Sequence, residues 1–475
     1  MQTRKPLILT FARVWYSEFY PKLVSEEYTL VHAVVSRKEK AEVLKRGGIV
    51  AGCFEEEFDA LEILDFSELG LRAYSADRSN NSLTLHDRDE FIGKACAFWD
   101  RIFKTSSFDF VLHETIAIEH DEILCKYAEK YGVVDLNYIT SIFPNSFYWK
   151  ESPYHTSLSK ERLEGIQPSQ KALIKAELYY NETRAKGHEP EYVRRNKWKK
   201  VHKTNPLRLA YLFAKYFLSI RRQELKKRSY ENVKKDAIFN YKHQLGKRDY
   251  MERWMDLLAE SIHSYDTMEE VEKLKAMVVF PLHFEPEATL AYFGNDVVHQ
   301  VQLIQEICDN LPKGYVLVVK EHPQQVGMLL RNRFFDLRKR NSNLMYLAGH
   351  HHSNTLIQKS KAVVTFVSSV GWEAALREIP TICFGNVFYD KHPNVLKIKN
   401  REDLKKLDAI IADYVPVSSD YSINYIAKMV EISRQGSPNF RHKIEDPSNI
   451  QSFRTAIEEQ VRMCLENPDT YWLKN

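Results

Sequence analysis

Three short stretches in the second half of the chain place imidazole, charged and hydroxyl groups directly behind apolar runs. Pro281-Leu282-His283-Phe284-Glu285-Pro286-Glu287 follows MVVF, Lys320-Glu321-His322-Pro323 follows YVLVV, and Ser368-Ser369-Val370-Gly371-Trp372-Glu373 follows KAVVTFV. If those runs are parallel strands, these residues stand where open α/β sheets bind ligands, outside the carboxyl ends of the strands. In the first stretch His283 and Glu285 offer an acid, a base or a group that orients an acceptor; a proline-flanked turn with a helix-capping glutamate would use the same residues. In the second, Lys320 and His322 at i and i+2 point to one side of an extended chain. Both can donate to phosphate oxygens as negative charge develops on a leaving diphosphate, and a solvated strand end is the alternative. In the third, Ser368, Ser369 and Gly371 meet the start of a helix, whose free N–H groups and dipole favour an anion. Glu373, one turn in, either accepts from ribose hydroxyls or complements that dipole. Each signal is modest alone; three in register on one sheet edge reinforce one another.

The first half follows the same logic in FDFVLHETIAIEHDE, where His113 and Glu114 leave a strand and offer a base. Glu119, His120, Asp121 and Glu122 crowd the next helix start, and capping accounts for Asp121 and Glu122. Asp87-Arg88-Asp89 has a metal-binding Asp-x-Asp spacing but precedes the helical stretch EFIGKACAFW, so a capping role is expected. His350-His351-His352 are adjacent and cannot all face one metal, which predicts a polar loop rather than a metal centre. The six cysteines form no CxxC pair and sit mostly in apolar runs, which fits a reducing compartment. Neither a Walker loop nor GxGxxG occurs, so an ATPase or dehydrogenase has no support.

The elements that would position these residues are legible as alternation. LILTF, LVHAVVS and FDFVLHE read as strands, EILCKYAEKYG as a helix and VVDLNYI as a strand again. From Lys273 the alternation resumes: five strands (MVVF, YVLVV, NLMYLA, KAVVTFV, PTICFG) alternate with helical segments, including an amphipathic one from Gln324 to Arg340. Such alternation predicts parallel sheets with crossover helices, and at 475 residues two domains are expected. The fold class is therefore α/β, two Rossmann-like doubly wound domains with a basic, mainly helical middle segment. The expected divisions are 1–183 (acceptor side), 184–272 (basic insertion), 273–435 (nucleotide-sugar side) and 436–475 (a helical segment packing back across the domains).

FPLHFEPEAT, the helix and LPKGYVLVVKEHP after it, and VVTFVSSVGWEAALREIPTICFG together resemble the capsule polysaccharide biosynthesis family, which contains Kdo transferases. The resemblance covers roughly residues 278–385. It implies a glycosyltransferase of the two-domain GT-B type, with acceptor contacts from the first domain and donor contacts from the second. It also implies a nucleotide-activated sugar, CMP-Kdo in the best-known relatives. Glu285 stands where the family pattern commonly has glutamine.

Between Arg184 and Tyr250 there are 20 lysines and arginines against 6 acidic residues, an excess of 14 in a chain whose net charge is +4, so the remainder is acidic. Within that segment PLRLAYLFAKYFLSIRR is apolar on most sides. It could lie on an anionic membrane surface or be a buried helix with snorkelling cations. No nucleic-acid module accompanies the charge. The reading is thus a cytoplasmic, peripherally attached glycosyltransferase, with a nucleotide-sugar donor as substrate and a polysaccharide or glycolipid acceptor. Lys320, His322, Ser368, Ser369, Gly371 and Glu373 would bind the donor, and His283, Glu285, His113 and Glu114 are the catalytic candidates in the cleft between domains. No metal or other cofactor is expected, since the cations and the helix N-terminus can take the leaving-group charge. The alternatives are a polyol-phosphate transferase of the teichoic type and a non-catalytic polysaccharide assembly protein.

Overall fold

The apolar runs form strands in the order the alternation implies. In chain order these are β1 (Leu7–Phe11), β2 (Thr29–Val34), β3 (Ile49–Cys53), β4 (Phe110–Glu114), β5 (Val134–Thr140), β6 (Ser146–Trp149), β7 (Met277–Pro281), β8 (Val316–Lys320), β9 (Leu344–Leu347), β10 (Ala362–Thr365), β11 (Thr381–Cys383), β12 (Val395–Lys397) and β13 (Arg434–Gln435). The structure, a computed structural model, describes residues 4–72, 83–187, 230–240, 262–284, 288–293, 300–323, 327–398, 401–438 and 441–467, with isolated positions elsewhere. Two α/β units result. The first comprises 1–159, 230–244 and 432–475, and the second 160–229 and 245–431.

The second unit holds a six-stranded sheet in the order β12-β11-β10-β7-β8-β9, with every pairing parallel. Its strands are near-continuous apolar runs because both faces are covered; Val278, Val279, Phe280, Leu317, Val318, Val363 and Val364 are all buried. Strand order reverses between β7 and β10, which opens the crevice where doubly wound sheets take ligands. The first unit carries β13-β6-β5-β4-β1-β2-β3. Its strands β3, β2, β1, β4 and β5 are parallel, whereas β6 and β13 are antiparallel additions at one edge. Here the order reverses between β1 and β4.

Several expectations are refined. The segment from Gln324 to Arg340 is helical over Asn332–Arg340, preceded by a single turn at Met328–Leu330. The helix at Leu85–Thr105 begins before Asp87, and Thr84 is its cap, accepting from the Asp87 N–H at 3.2 Å. Asp87 sits in the first turn, bonded to the Thr84 hydroxyl and paired with Lys234 at 2.8 Å. That is the capping arrangement with the two residues' roles shared rather than held by Asp87 alone. All six cysteines are buried free thiols. The basic middle lies mostly outside the described residues; its described positions between 207 and 218 are helical. Among the described residues no helix is long and apolar enough to cross a membrane.

The helix Pro447–Glu466 belongs to the first unit. Phe453 packs against Phe19, Tyr138 and Phe147 with ring centroids 4.5–5.3 Å apart, and Ile457 and Val461 extend the same core. In the second unit, the helix Gln170–Lys186 lies against the helix Ser369–Leu376. The Trp372 indole N–H donates to the Tyr179 hydroxyl at 3.2 Å, Arg184 pairs with Glu378 at 2.8 Å, and Arg377 donates to the carbonyls of Thr183 and Arg184.

Candidate functional site

At the reversal point of the second sheet, residues behind β7 and β10 face each other. His283 is buried, and its Nε2 accepts the Val367 backbone N–H at 3.3 Å, joining the two strand ends. Gln300 fixes the backbone behind it, its side chain bonding both the N–H and the carbonyl of His283 at 2.7 and 3.1 Å. Burial first, then the neighbouring His322, push the His283 imidazole down to about 3. A neutral ring with Nε2 already accepting positions the β10 loop, and this differs from the acid or base role its sequence position suggests. Glu285 lies outside the described residues.

Lys320 closes β8, beside Pro281 in register. It is buried, and its ammonium donates to the carbonyls of Glu321 and Gly349 at 3.2 and 3.1 Å. An ammonium has three N–H donors, so this geometry holds the group in place without exhausting it. Burial depresses it to about 8, against the opposing pull of Glu321 and Glu373. Gly349 is required for this approach: a Cβ there would stand 2.7 Å from the His322 carbonyl oxygen and 2.9 Å from Pro323 Cα. His322 is half-buried beside Phe284, with ring centroids 5.8 Å apart, and is pushed down to about 4 by burial and then by Lys320. The Lys320 charge also helps depress His350 and His351, so the histidine loop behind β9 borders the same strand ends.

Behind β10, Ser368 caps the helix Ser369–Leu376, its Oγ accepting the Val370 N–H at 3.2 Å. Ser368 and Ser369 are half-buried at the helix N-terminus, the electropositive end. Glu373 is buried on the same helix, its Oε2 beside Gly187 and its charge felt by Lys320. Gly371 does different work from that expected of it. A Cβ there would meet the Tyr389 hydroxyl at 2.7 Å and Thr365 Cγ2 at 2.8 Å, so glycine lets the helix seat against the sheet. The structure thus brings Lys320, His322, Ser368, Ser369 and Glu373 to one sheet edge, with His283 supporting them.

Glu321, between the two ligand candidates, points the other way. Its carboxylate accepts from the Tyr265 hydroxyl and from the Gly327 and Leu329 N–H groups at 2.7–3.0 Å, pinning the loop behind β8.

In the first unit, polar groups gather at the ends of β1 and β4. The Arg13 guanidinium makes two bonds to Asp121 at 3.0 and 3.1 Å, and both side chains are buried. Asp121 also accepts the Ala117 and Ile118 N–H groups, so the capping role expected of it holds. Glu114 accepts from the Tyr16 hydroxyl. His113 is buried against Asp135, Nε2 to Oδ1 2.8 Å, with Cys125 Sγ 3.4 Å from the same nitrogen. Burial would lower the imidazole, but Asp135 outweighs it and holds the pKa above its ordinary value. His113, Cys125 and Asp135 are the grouping among the described residues whose ligand atoms, all within 4.8 Å of one another, could hold a metal ion. Lys150 is buried nearby, donating to Thr115 Oγ1 and the Pro153 carbonyl at 2.9 and 2.8 Å, and burial lowers it to about 7. Val14, a β-branched residue, takes φ 52° in the loop after β1, a strained conformation of the kind that clusters at functional sites. Arg13 and Lys150 were not singled out from sequence; Arg13 stands two residues behind the parallel strand β1 and so obeys the rule that found the others, whereas Lys150 follows the antiparallel β6, to which that rule does not apply.

Residues 187–393 match the family model described as capsule polysaccharide biosynthesis protein. No curated protein matches the chain. Among solved structures, a beta Kdo 2,4 transferase, Thermosulfurimonas dismutans KpsC, aligns at 12% identity over 74% of this chain and 87% of its own, with a TM-score of 0.39. The beta Kdo 2,7 transferase of the same KpsC aligns at 14% identity over 77% and 88%, TM-score 0.32. A glycosyltransferase from Rickettsia africae aligns at 10% identity over the whole of both chains, TM-score 0.28. The fold assignment rests on the strand order and pairing given above rather than on these alignments.

Proposed function

We propose that the chain is a glycosyltransferase that binds a nucleotide-activated sugar at the carboxyl edge of the second sheet and transfers the sugar to a surface polysaccharide or glycolipid. The observation that carries this reading is the convergence of Lys320, His322, the Ser368-capped helix N-terminus and Glu373 around one strand reversal. Lys320 supplies positive charge and the helix end supplies N–H donors to the donor phosphates; His322, neutral near pH 7, supplies a hydrogen bond. Ser369 completes the phosphate cradle, and Glu373 accepts from ribose hydroxyls. Glu114 and Glu285 are the carboxylates proposed for acid–base work on the acceptor. Because leaving-group charge is met by the lysine and the helix end, the transfer needs no metal in this reading. The match of residues 187–393 to the capsule polysaccharide biosynthesis model supports CMP-Kdo as the first donor to test.

Calorimetry with CMP, CDP and UDP, followed by transfer assays with CMP-Kdo, UDP-sugars and CDP-glycerol, tests this. His322→Ala should weaken nucleotide binding by about tenfold, the loss expected for one hydrogen bond to a charged group, with circular dichroism unchanged. Unchanged affinity would move the donor site elsewhere. Turnover of CDP-glycerol alone would make the chain a polyol-phosphate transferase, and binding without any transfer would make it an assembly component.

A further inference from the structure

In the first unit, His113, Cys125 and Asp135 lie on one strand–helix–strand crossover made of β4, the helix Glu119–Lys130 and β5. Cys125 Sγ stands 3.4 Å and Asp135 Oδ1 2.8 Å from His113 Nε2. Both approach the same ring nitrogen. A thiol–imidazole–carboxylate relay needs its two partners on opposite nitrogens, so this grouping is not built to activate a nucleophile. Three unlike donors converging on one point is instead the arrangement of a metal site. The other nitrogen, Nδ1, faces the Glu114 carbonyl, which can only accept. Nδ1 therefore carries a proton, and Nε2 is the nitrogen that an ion would take. Asn137 donates to the far oxygen of Asp135, Oδ2, at 3.3 Å and leaves Oδ1 aimed at the ring.

A tetrahedral zinc ion, with bonds of about 2.3 Å to sulfur and about 2.0 Å to nitrogen and oxygen, sets S···N at about 3.5 Å and N···O at about 3.3 Å. Cys125 and His113 already stand at that spacing, and Asp135 has to give by about half an ångström. Charge is balanced as well. Without an ion the cluster is an imidazolium, a carboxylate and a neutral thiol; with one it is a divalent cation, a carboxylate, a thiolate and a neutral imidazole. Two protons leave to solvent, one from Nε2 and one from Sγ, and the net charge of the cluster stays the same. That matters here, because side-chain exposure is only 2% at His113 and 9% at Asp135. Lys150 opposes positive charge at His113 and Asp121 favours it, which leaves the three ligands to decide. A thiolate, an imidazole and a carboxylate together suit a zinc-class ion, whereas magnesium and calcium take oxygen ligands.

We infer that His113, Cys125 and Asp135 bind one zinc-class divalent ion, which clips the crossover helix Glu119–Lys130 to β4 and β5 and leaves one coordination corner for water. The site belongs to the first unit and is independent of which donor the second unit binds. The full chain, stripped with a chelator, is titrated with Zn²⁺ and, for its spectrum, with Co²⁺. One equivalent of either ion should bind, and cobalt should produce the thiolate-to-metal charge-transfer band in the near ultraviolet. Cys125→Ser should abolish the band and weaken zinc binding by about a hundredfold or more, beyond the roughly 10–100-fold typical of a lost outer-shell partner. Asp135→Asn should keep the band and weaken zinc binding by about tenfold or more. The wild-type Tm should climb with zinc concentration, and that of Cys125→Ser should not. Circular dichroism serves as the folding control, and Cys125→Ala repeats the test if the serine variant fails to fold. A cobalt spectrum without the band overturns the inference, and so does a band that survives loss of the Cys125 thiol. Equal zinc binding by wild type and variants also overturns it, placing the ion on other histidines. Nucleotide binding by the second unit should be the same in all these proteins, so the outcome is separate from that of the donor-site test.

Discussion

Lys320 is the residue whose chemistry is most constrained by its surroundings. Burial brings it from an ordinary 10.5 to about 8, so it is charged at neutral pH and loses the charge just above. An anion bound beside it favours the charged form; nucleotide affinity should therefore be level below pH 8 and fall by about tenfold per pH unit above it. The sign for stability is opposite. Between about 8 and 10.5 the unfolded chain still holds the proton that the folded lysine has released, so the unliganded fold gains stability as pH rises through that window. Calorimetry across this range, with Lys320→Met as the control expected to lose the slope, checks the binding half. His322, at about 4, and His283, at about 3, contribute no step near neutrality. The ligand candidates were legible because a simple positional rule, polar residues behind a parallel strand, applies to Lys320, His322, Ser368 and Glu373 alike. What sequence could not convey is direction. Glu321 sits between Lys320 and His322 yet turns inward to a loop, His283 spends its ring nitrogen on a backbone amide, and Gly371 faces the sheet.

Among the elements, the connection behind β8 depends on that inward glutamate. Removing the Glu321 carboxylate leaves the Tyr265 hydroxyl proton and the Leu329 N–H without their acceptor in a largely buried setting, and leaves the Gly327 N–H only the Tyr265 oxygen. Glu321→Ala should therefore destabilise the second unit by roughly 3 kcal/mol in urea unfolding, whereas Lys320→Met, which removes a buried charge, should be neutral or stabilising. The contrast separates a structural from a ligand-facing role within one tetrapeptide. The same distinction explains which elements were readable. β7, β8 and β10 are unbroken apolar runs covered on both faces, so composition alone announces them. β3 (IVAGC), β12 (VLK) and β13 (RQ) are sheet-edge strands, and β6 (SFYW) is joined antiparallel near one edge; these are fixed by pairing with a neighbour, and their own sequences carry little periodic signal. The pairing of the helix Gln170–Lys186 with the helix behind β10 was not legible, because that choice is made by Tyr179 with Trp372 and by Arg184 with Glu378.

Across the molecule the backbone passes between the two units four times, so neither unit is one uninterrupted stretch of sequence. The helix Pro447–Glu466 contributes Phe453, Ile457 and Val461 to the first unit's core, each buried side chain being worth about 1.5–3 kcal/mol. Against a typical domain stability of about 5–15 kcal/mol, truncation after Glu431 should leave the first unit unable to fold cooperatively. Dye binding to exposed apolar surface should rise in that truncation, while nucleotide binding by the second unit persists. The late arrival of that helix has a consequence for biosynthesis. When β6 leaves the ribosome its outer edge has no neighbour, and Arg434–Gln435, which pairs with it, is still about 285 residues away. At about 5–20 residues per second that interval lasts roughly 14–57 s, during which an open strand edge and the aromatic cluster of Phe19, Tyr138 and Phe147 are held uncovered. The nascent first unit is therefore a natural client for a chaperone that shields apolar surface, and its yield in the cell should depend on translation speed through the second unit's coding sequence.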